Sequence, residues 1–245
     1  MSKLVWDVGG ERYYETGTQK GVLYPQDENG TFVGGVAWSG LTGVTETPSG
    51  ADANALYADD IKYLNLRAAE TLGGTITAYR APAEFEECDG TKSIAGIKFG
   101  QQSRKAFGFS FRSIIGNDTK SNDYAYKLHL IYNATASPAD RGYSSVNESP
   151  EAIEFSWEFD TTAIDTHISD LKACSLITLD TSDYADENGK KFIAAVEDAL
   201  YGTETTEPYL PMPWEVVQMA VKAGVTGASI DVIDTEYQTK TSITA

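Results

Sequence analysis

Two long alternating runs dominate the stretch from residue 100 to residue 138. In residues 104–113, Phe107, Phe109 and Phe111 fall at every second position. In residues 124–133, Tyr126, Leu128, Leu130 and Tyr132 do the same. Successive side chains of a strand point to opposite faces, so each run predicts a half-buried strand. The residues between them, GNDTKSND, tolerate turn geometry. This stretch predicts a β-hairpin at the centre of a sheet with one apolar and one polar face. A third run, residues 153–161, points Ile153, Phe155, Trp157 and Phe159 inward and leaves Glu154, Ser156, Glu158 and Asp160 on the polar face.

The rest of the chain is shorter in period. GVLYPQDENGTFVGG predicts a hairpin, with strands at 21–24 and 31–33 about the turn dipeptide Asn29-Gly30. Residues 36–47 alternate as a strand, 48–60 (PSGADANALYADD) break the pattern, and 61–67 resume it. A long excursion between paired strands is a surface Ω-loop or an arm toward another subunit. Residues 74–79 and 176–180 predict short strands, and 137–150 a polar loop. Pro82, the acids that follow it and Gly90 predict a helix of about two turns. Residues 187–201 carry an apolar stripe of Phe192, Ile193, Val196, Ala199 and Leu200, stopped by Gly202. A proline-rich linker leads to a second helix at 214–223, ended by Gly224. The tail from 225 to 245 is β-branched and polar, a pairing strand or a loose end. The expected fold class is α+β, mainly β, in one domain with arms.

Composition narrows the function. The 245 residues include 36 acids against 19 Lys and Arg, a net charge of −17. Such a charge repels nucleic acid and anionic membranes, which argues against a sequence-reading DNA or RNA binder. Cys88 and Cys174 predict no disulfide framework and read as small buried thiols. No secretory leader and no membrane span is expected, so the chain is expected to fold in a reducing cytoplasm.

Candidate chemistry is sparse. The glycine-rich, zinc-binding and serine-elbow motifs of common enzymes are missing. His129 and His167 are the only histidines. His129 is one residue out of phase with Leu128 and Leu130, so it is expected on the polar face. Neither histidine has a partner at metal spacing. Asp180, Asp183, Asp186 and Glu187 fit a strand end and an acid-rich helix start better than a calcium loop. No enzyme activity and no cofactor is expected.

Five segments, at 11–25, 35–66, 80–90, 100–138 and 149–162, together resemble the major tail (tail tube) protein of long-tailed bacteriophages. They include ERYYETGTQKGVLYP, RAPAEFEECDG and SPEAIEFSWEFDTT. The likeness runs from about residue 4 to about residue 222. It implies a β-sandwich or half-barrel with a flanking helix, whose inner sheet closes into a barrel across the subunits of a hexameric ring. Stacked rings would form the conduit for DNA ejection, with DNA passing without specific binding. The implied partners are copies of the chain itself, a tape measure protein and tail terminator and tip proteins. The implied location is the virion tail, assembled in the host cytoplasm. Residues 1–222 would be the tube domain and 41–60 the inter-ring loop, with Pro48, Asp52, Asn54, Leu56, Tyr57 and Asp59 as contact candidates. Residues 223–245 have no counterpart. The lumen- or solvent-facing candidates are Ser110, Arg112, Lys127, His129, Glu154, Ser156, Glu158 and Asp160. Two other readings stay open: a tube subunit of a phage-derived secretion or injection machine, and an acidic β-sandwich binding module.

Overall fold

The computed structural model describes residues 3–50, 52–145 and 152–240. Its framework is an antiparallel sheet of eight strands in the order β2-β1-β9-β10-β11-β6-β3, with β12 also on β10. These are β1 (Tyr13–Pro25), β2 (Val36–Ala37), β3 (Leu41–Gly50), β6 (Glu70–Ala78), β9 (Phe107–Asn117), β10 (Ser121–Ala136), β11 (Phe155–Thr161) and β12 (Leu176–Asp180). Two ribbons stand apart from it, β4 (Ala53–Ala58) with β5 (Ile61–Arg67) and β7 (Lys92–Ile94) with β8 (Ile97–Phe99). Helices α1 (Glu187–Tyr201) and α2 (Pro213–Ala223) follow the last strand.

The central hairpin forms as β9 and β10, but its register overturns the expected single apolar face. Phe111 pairs with His129, Ser110 with Leu130 and Arg112 with Leu128. Paired residues share a face, so the phenylalanines of β9 and the leucines of β10 point to opposite sides. Both faces are therefore buried. Phe107, Phe109, Phe111 and Ile131 meet Trp38, Ile76, Phe85, Trp157 and Phe159 in one core. Leu128, Leu130 and Tyr132 meet Tyr24, Phe192, Val196 and Leu200 in the other.

The first core is a sandwich. The sheet rolls over so that β11, β6 and β3 cover β9 and β10. Trp38 lies at its centre, with ring centroids 4.8 Å from Phe85, 5.5 Å from Trp157 and 5.7 Å from Phe109. Its Nε1–H donates to the Arg80 carbonyl at 2.9 Å, so the indole is packed and satisfied. Gly74 is required here: a Cβ would fall 2.4 Å from the Thr45 carbonyl oxygen and 2.6 Å from the Phe159 ring. The roll leaves the sheet open, since the ladder order ends at β3.

The second core is covered by helices. Asp186 caps α1 by accepting the Gly189 N–H at 2.9 Å. Pro213 opens α2, Glu215 accepts the Met212 N–H at 2.9 Å, and Gly224 closes it in the left-handed region. The described part of the tail packs back on α2. Gln218 donates to the carbonyls of Tyr237 and Gln238, and Tyr237 stacks on His167 with centroids 3.9 Å apart.

Several boundaries move. Residues 31–33 make isolated bridges instead of a strand, because the Asp27 carboxylate ties up the N–H groups of Asn29 and Thr31. The strand expected at 36–47 is broken by a turn at Ser39-Gly40 into β2 and β3. The expected two-turn helix after Pro82 is a short 3-10 turn, Ala83–Glu86. The ribbon β7–β8 was not anticipated. Its turn residues Ala95 and Gly96 both have positive φ, as tight hairpins require. Part of the polar loop expected at 137–150 lies outside the described residues.

Candidate assembly surfaces

The excursion at 48–60, read as irregular, is a ladder. Strand β3 runs on through Pro48 to Gly50, paired with β6 along its whole length. Among the described residues it has no strand on its other side, where Pro48, lacking an N–H, can sit without costing a ladder bond. Past this point β4 and β5 pair with each other alone. Asp59 and Asp60 form the tip, with φ of 50° and 62°. Leu56 pairs with Leu64, Asn54 with Leu66 and Ala58 with Ile61. Tyr57 is 72% exposed, Tyr63 68% and Ile61 63%. Of the arm candidates, Asn54, Leu56, Tyr57 and Asp59 thus lie on this free ribbon, Asp52 at its base, and Pro48 in the edge strand beneath it.

A second surface is the outer face of β11, β6 and β3. Cross-strand pairing sets Ser156 beside Thr77 and Gly43, Glu158 beside Thr75 and Thr45, and Asp160 beside Gly73 and Thr47. The face is built of hydroxyls, glycines and two carboxylates, with no Lys or Arg in these rows. Glu158 and Asp160 are exposed and Ser156 is half-buried. Glu154 lies exposed one residue before the strand. The threonines were missed, although Thr75 and Thr77 alternate with Ile76 and Ala78 in the sequence.

The other four face candidates lie elsewhere. Ser110 is a correction: it is 2% exposed and hydrogen-bonded to the Tyr24 hydroxyl at 3.0 Å. The register puts it on the helix side, under the second core. Arg112 shares that side. It lies over the Tyr126 ring at 4.5 Å and donates to Gln19 Oε1 at 2.8 Å. Lys127 is paired with Glu15, which raises its pKa through the hydrogen bond from the ammonium to that carboxylate.

His129 faces the sandwich, not open solvent. Its ring stacks on Phe111 at 4.3 Å. Nδ1 lies 2.9 Å from Glu46 Oε1 and Nε2 lies 3.0 Å from Ser113 Oγ. The spacing matches a nucleophile, base and orienting acid. However, Ser113 sits mid-strand, paired with Thr18 on one side and Lys127 on the other. A serine in the middle of a central strand has neighbouring strands on both sides of its backbone, unlike a nucleophile at an exposed turn. What the trio does structurally is join β3 to β10 and β9 where the arm leaves the body. Neither Glu46 nor Ser113 could be found from sequence, because only the sheet roll brings β3 over β10.

A cleft of about 470 Å³ opens at the root of the long β3–β6 ladder. Its floor includes Pro82, Phe155 and Trp157, and its rim Arg80, Lys98 and Arg141. Lys98 pairs with Glu86 and Arg141 with Asp89, whereas Arg80 has no ion pair among the described residues. Cys88, behind this region, is fully buried, and burial pushes its thiol up to about 12. Among the described residues no group of His, Cys, Asp and Glu could hold a metal, and no helix is long and apolar enough to cross a membrane.

No protein-family model matches the chain, and no curated protein does. Among solved structures, it is similar to a chain of an extracellular contractile injection system, the PVC sheath-tube complex in its extended state. Identity is 13% and the TM-score 0.29, over 71% of this chain and 93% of that one.

Proposed function

We propose that this chain is a structural subunit of a hollow tube, built from hexameric rings stacked end to end as in a phage tail. The observation that carries the proposal is the β4–β5 ribbon. A lone two-stranded ribbon is marginal in water. This one exposes tyrosine, isoleucine and leucine on a stalk, and such side chains gain roughly 1.5–3 kcal/mol each on full burial. A partner surface supplies that burial, and another copy of the chain is always at hand.

Two further features support the tube. The open edge of β3 offers unpaired backbone groups, which pairing with a neighbour's sheet would satisfy. The hydroxyl- and carboxylate-lined outer face of β11, β6 and β3 would then line the lumen. Without Lys or Arg in its rows, it would let phosphate pass without sticking. In this role the protein is not an enzyme and takes no cofactor. Its partners are its own copies and the tape measure, terminator and tip proteins of a virion tail assembled in the host cytoplasm.

Size exclusion with negative-stain electron microscopy tests the proposal. Sixfold rings or long hollow tubes are expected. A protein that stays strictly monomeric at high concentration would overturn it.

A further inference from the structure

We propose that the tip of the β4–β5 ribbon of one copy docks in the Arg80 cleft of the next, resting on the tube reading above. The two features are complementary in chemistry. The tip presents Asp59 and Asp60 flanked by exposed Tyr57 and Ile61. The cleft presents an apolar floor of Pro82, Phe155 and Trp157 and is lined by three cations, Arg80, Lys98 and Arg141, against two acids, Glu86 and Asp89. Lys98 and Arg141 are already paired on the rim, so Arg80 is the cation left for an incoming carboxylate. The volume of about 470 Å³ suits the few side chains of a turn and not a folded element.

The two features also lie toward opposite ends of one stretch of paired strands. Strand β6 runs from Glu70 to Ala78, and Arg80 follows its end at the root of the arm. The tip lies past the opposite end of the same ladder. At ~3.3 Å per residue, the two strands between them measure about 50 Å along the chain. Complementary patches at the two ends of one element join head to tail, and such contacts run on as open stacks wherever the rotation between copies does not close them into a ring. The Trp157 ring is itself packed in the sandwich core, so the floor that receives the neighbour is an extension of that core, with half-buried Phe155 beside it.

The test is a pair of thiols and a charge swap in the full chain. Asp60→Cys combined with Arg80→Cys should give disulfide-linked ladders of chains when assemblies are oxidised, and none when dilute monomer is. Arg80→Glu should abolish stacking, and adding Asp60→Arg should restore it. The Arg80 side chain is exposed and only its carbonyl serves Trp38, so the variants should keep the wild-type circular dichroism and melting temperature. If tubes form but the thiols do not link and Arg80→Glu stacks normally, the docking is wrong and the tube reading stands. A disulfide closing within a single chain also overturns the docking. If the wild-type protein never assembles, both fall together.

Discussion

Two antiparallel hairpins of this chain share one backbone pattern and have opposite environments. The β9–β10 hairpin has neighbours on both edges and a core on each face. Among the described residues the β4–β5 ribbon has neither, although its strands are paired from Ala53 to Ala58, with one register shift between Leu56 and Tyr57, and its turn is tight. Ladder hydrogen bonds largely replace bonds to water, so they contribute little net stability by themselves. What separates the hairpins is burial of faces. The first is packed between the monomer's two cores, and the second contributes no residue to either.

The largest effect should come from the face of the central hairpin shared with the sandwich. Trp157 is 5% exposed and meets Trp38, Phe85 and Phe155. Trp157→Ala should cost about 3–5 kcal/mol, read as a lower urea midpoint. A loss under ~1 kcal/mol would show that the sandwich is not the core of the monomer.

A smaller effect is expected on the helix side. The Tyr24 hydroxyl donates to the Leu200 carbonyl at 2.7 Å and contacts Ser110 Oγ. Tyr24→Phe strands both partners and should cost about 1–3 kcal/mol. The same side sets an alkaline limit. Burial raises the pKa of Tyr24 and Tyr132, and pushes Tyr209 up to about 12. An unfolded tyrosine titrates near ~10, so above that pH the unfolded chain loses its protons first. It then binds fewer protons than the folded chain, and stability falls as pH rises. Denaturation midpoints should therefore drop above about pH 10, and less steeply in Tyr24→Phe. A midpoint flat to pH 12 would contradict the burial of these phenols.

How far the sequence revealed these differences depends on distance along the chain. Local signals held. The alternation of 107–111 and 153–161, the stripe of α1 and the glycine stops all correspond to observed elements. Period-2 alternation states that a strand has two faces, but the register decides which faces meet. One residue of phase between β9 and β10 moved Ser110 from a wet surface to the interior. The roll of β3 over β10, which joins Glu46 to His129, is a contact across 83 positions and leaves no local trace. The arm was visible as an interruption and misread as irregular, because Pro48, Gly50 and the paired aspartates resemble loop chemistry. On an edge strand and in a tight turn, the same residues are compatible with paired strands.

The smallest effect on the monomer should come from removing the free ribbon. Replacing residues 52–68 by a short Gly-Ser turn deletes β4 and β5 and leaves β3 and β6 joined. No residue of either core lies in that segment. Substitutions away from core contacts usually change stability by no more than ~0.5 kcal/mol, so the melting temperature should hardly move. Assembly should respond in the opposite way, with rings retained and stacking lost in electron micrographs. A large fall in stability would mean that the ribbon is part of the monomer's own fold. Normal tubes would mean that its exposed tyrosines and leucines serve some contact other than stacking. Only a stable ring that cannot lengthen fits a chain that keeps one hairpin for itself and extends the other to its neighbour.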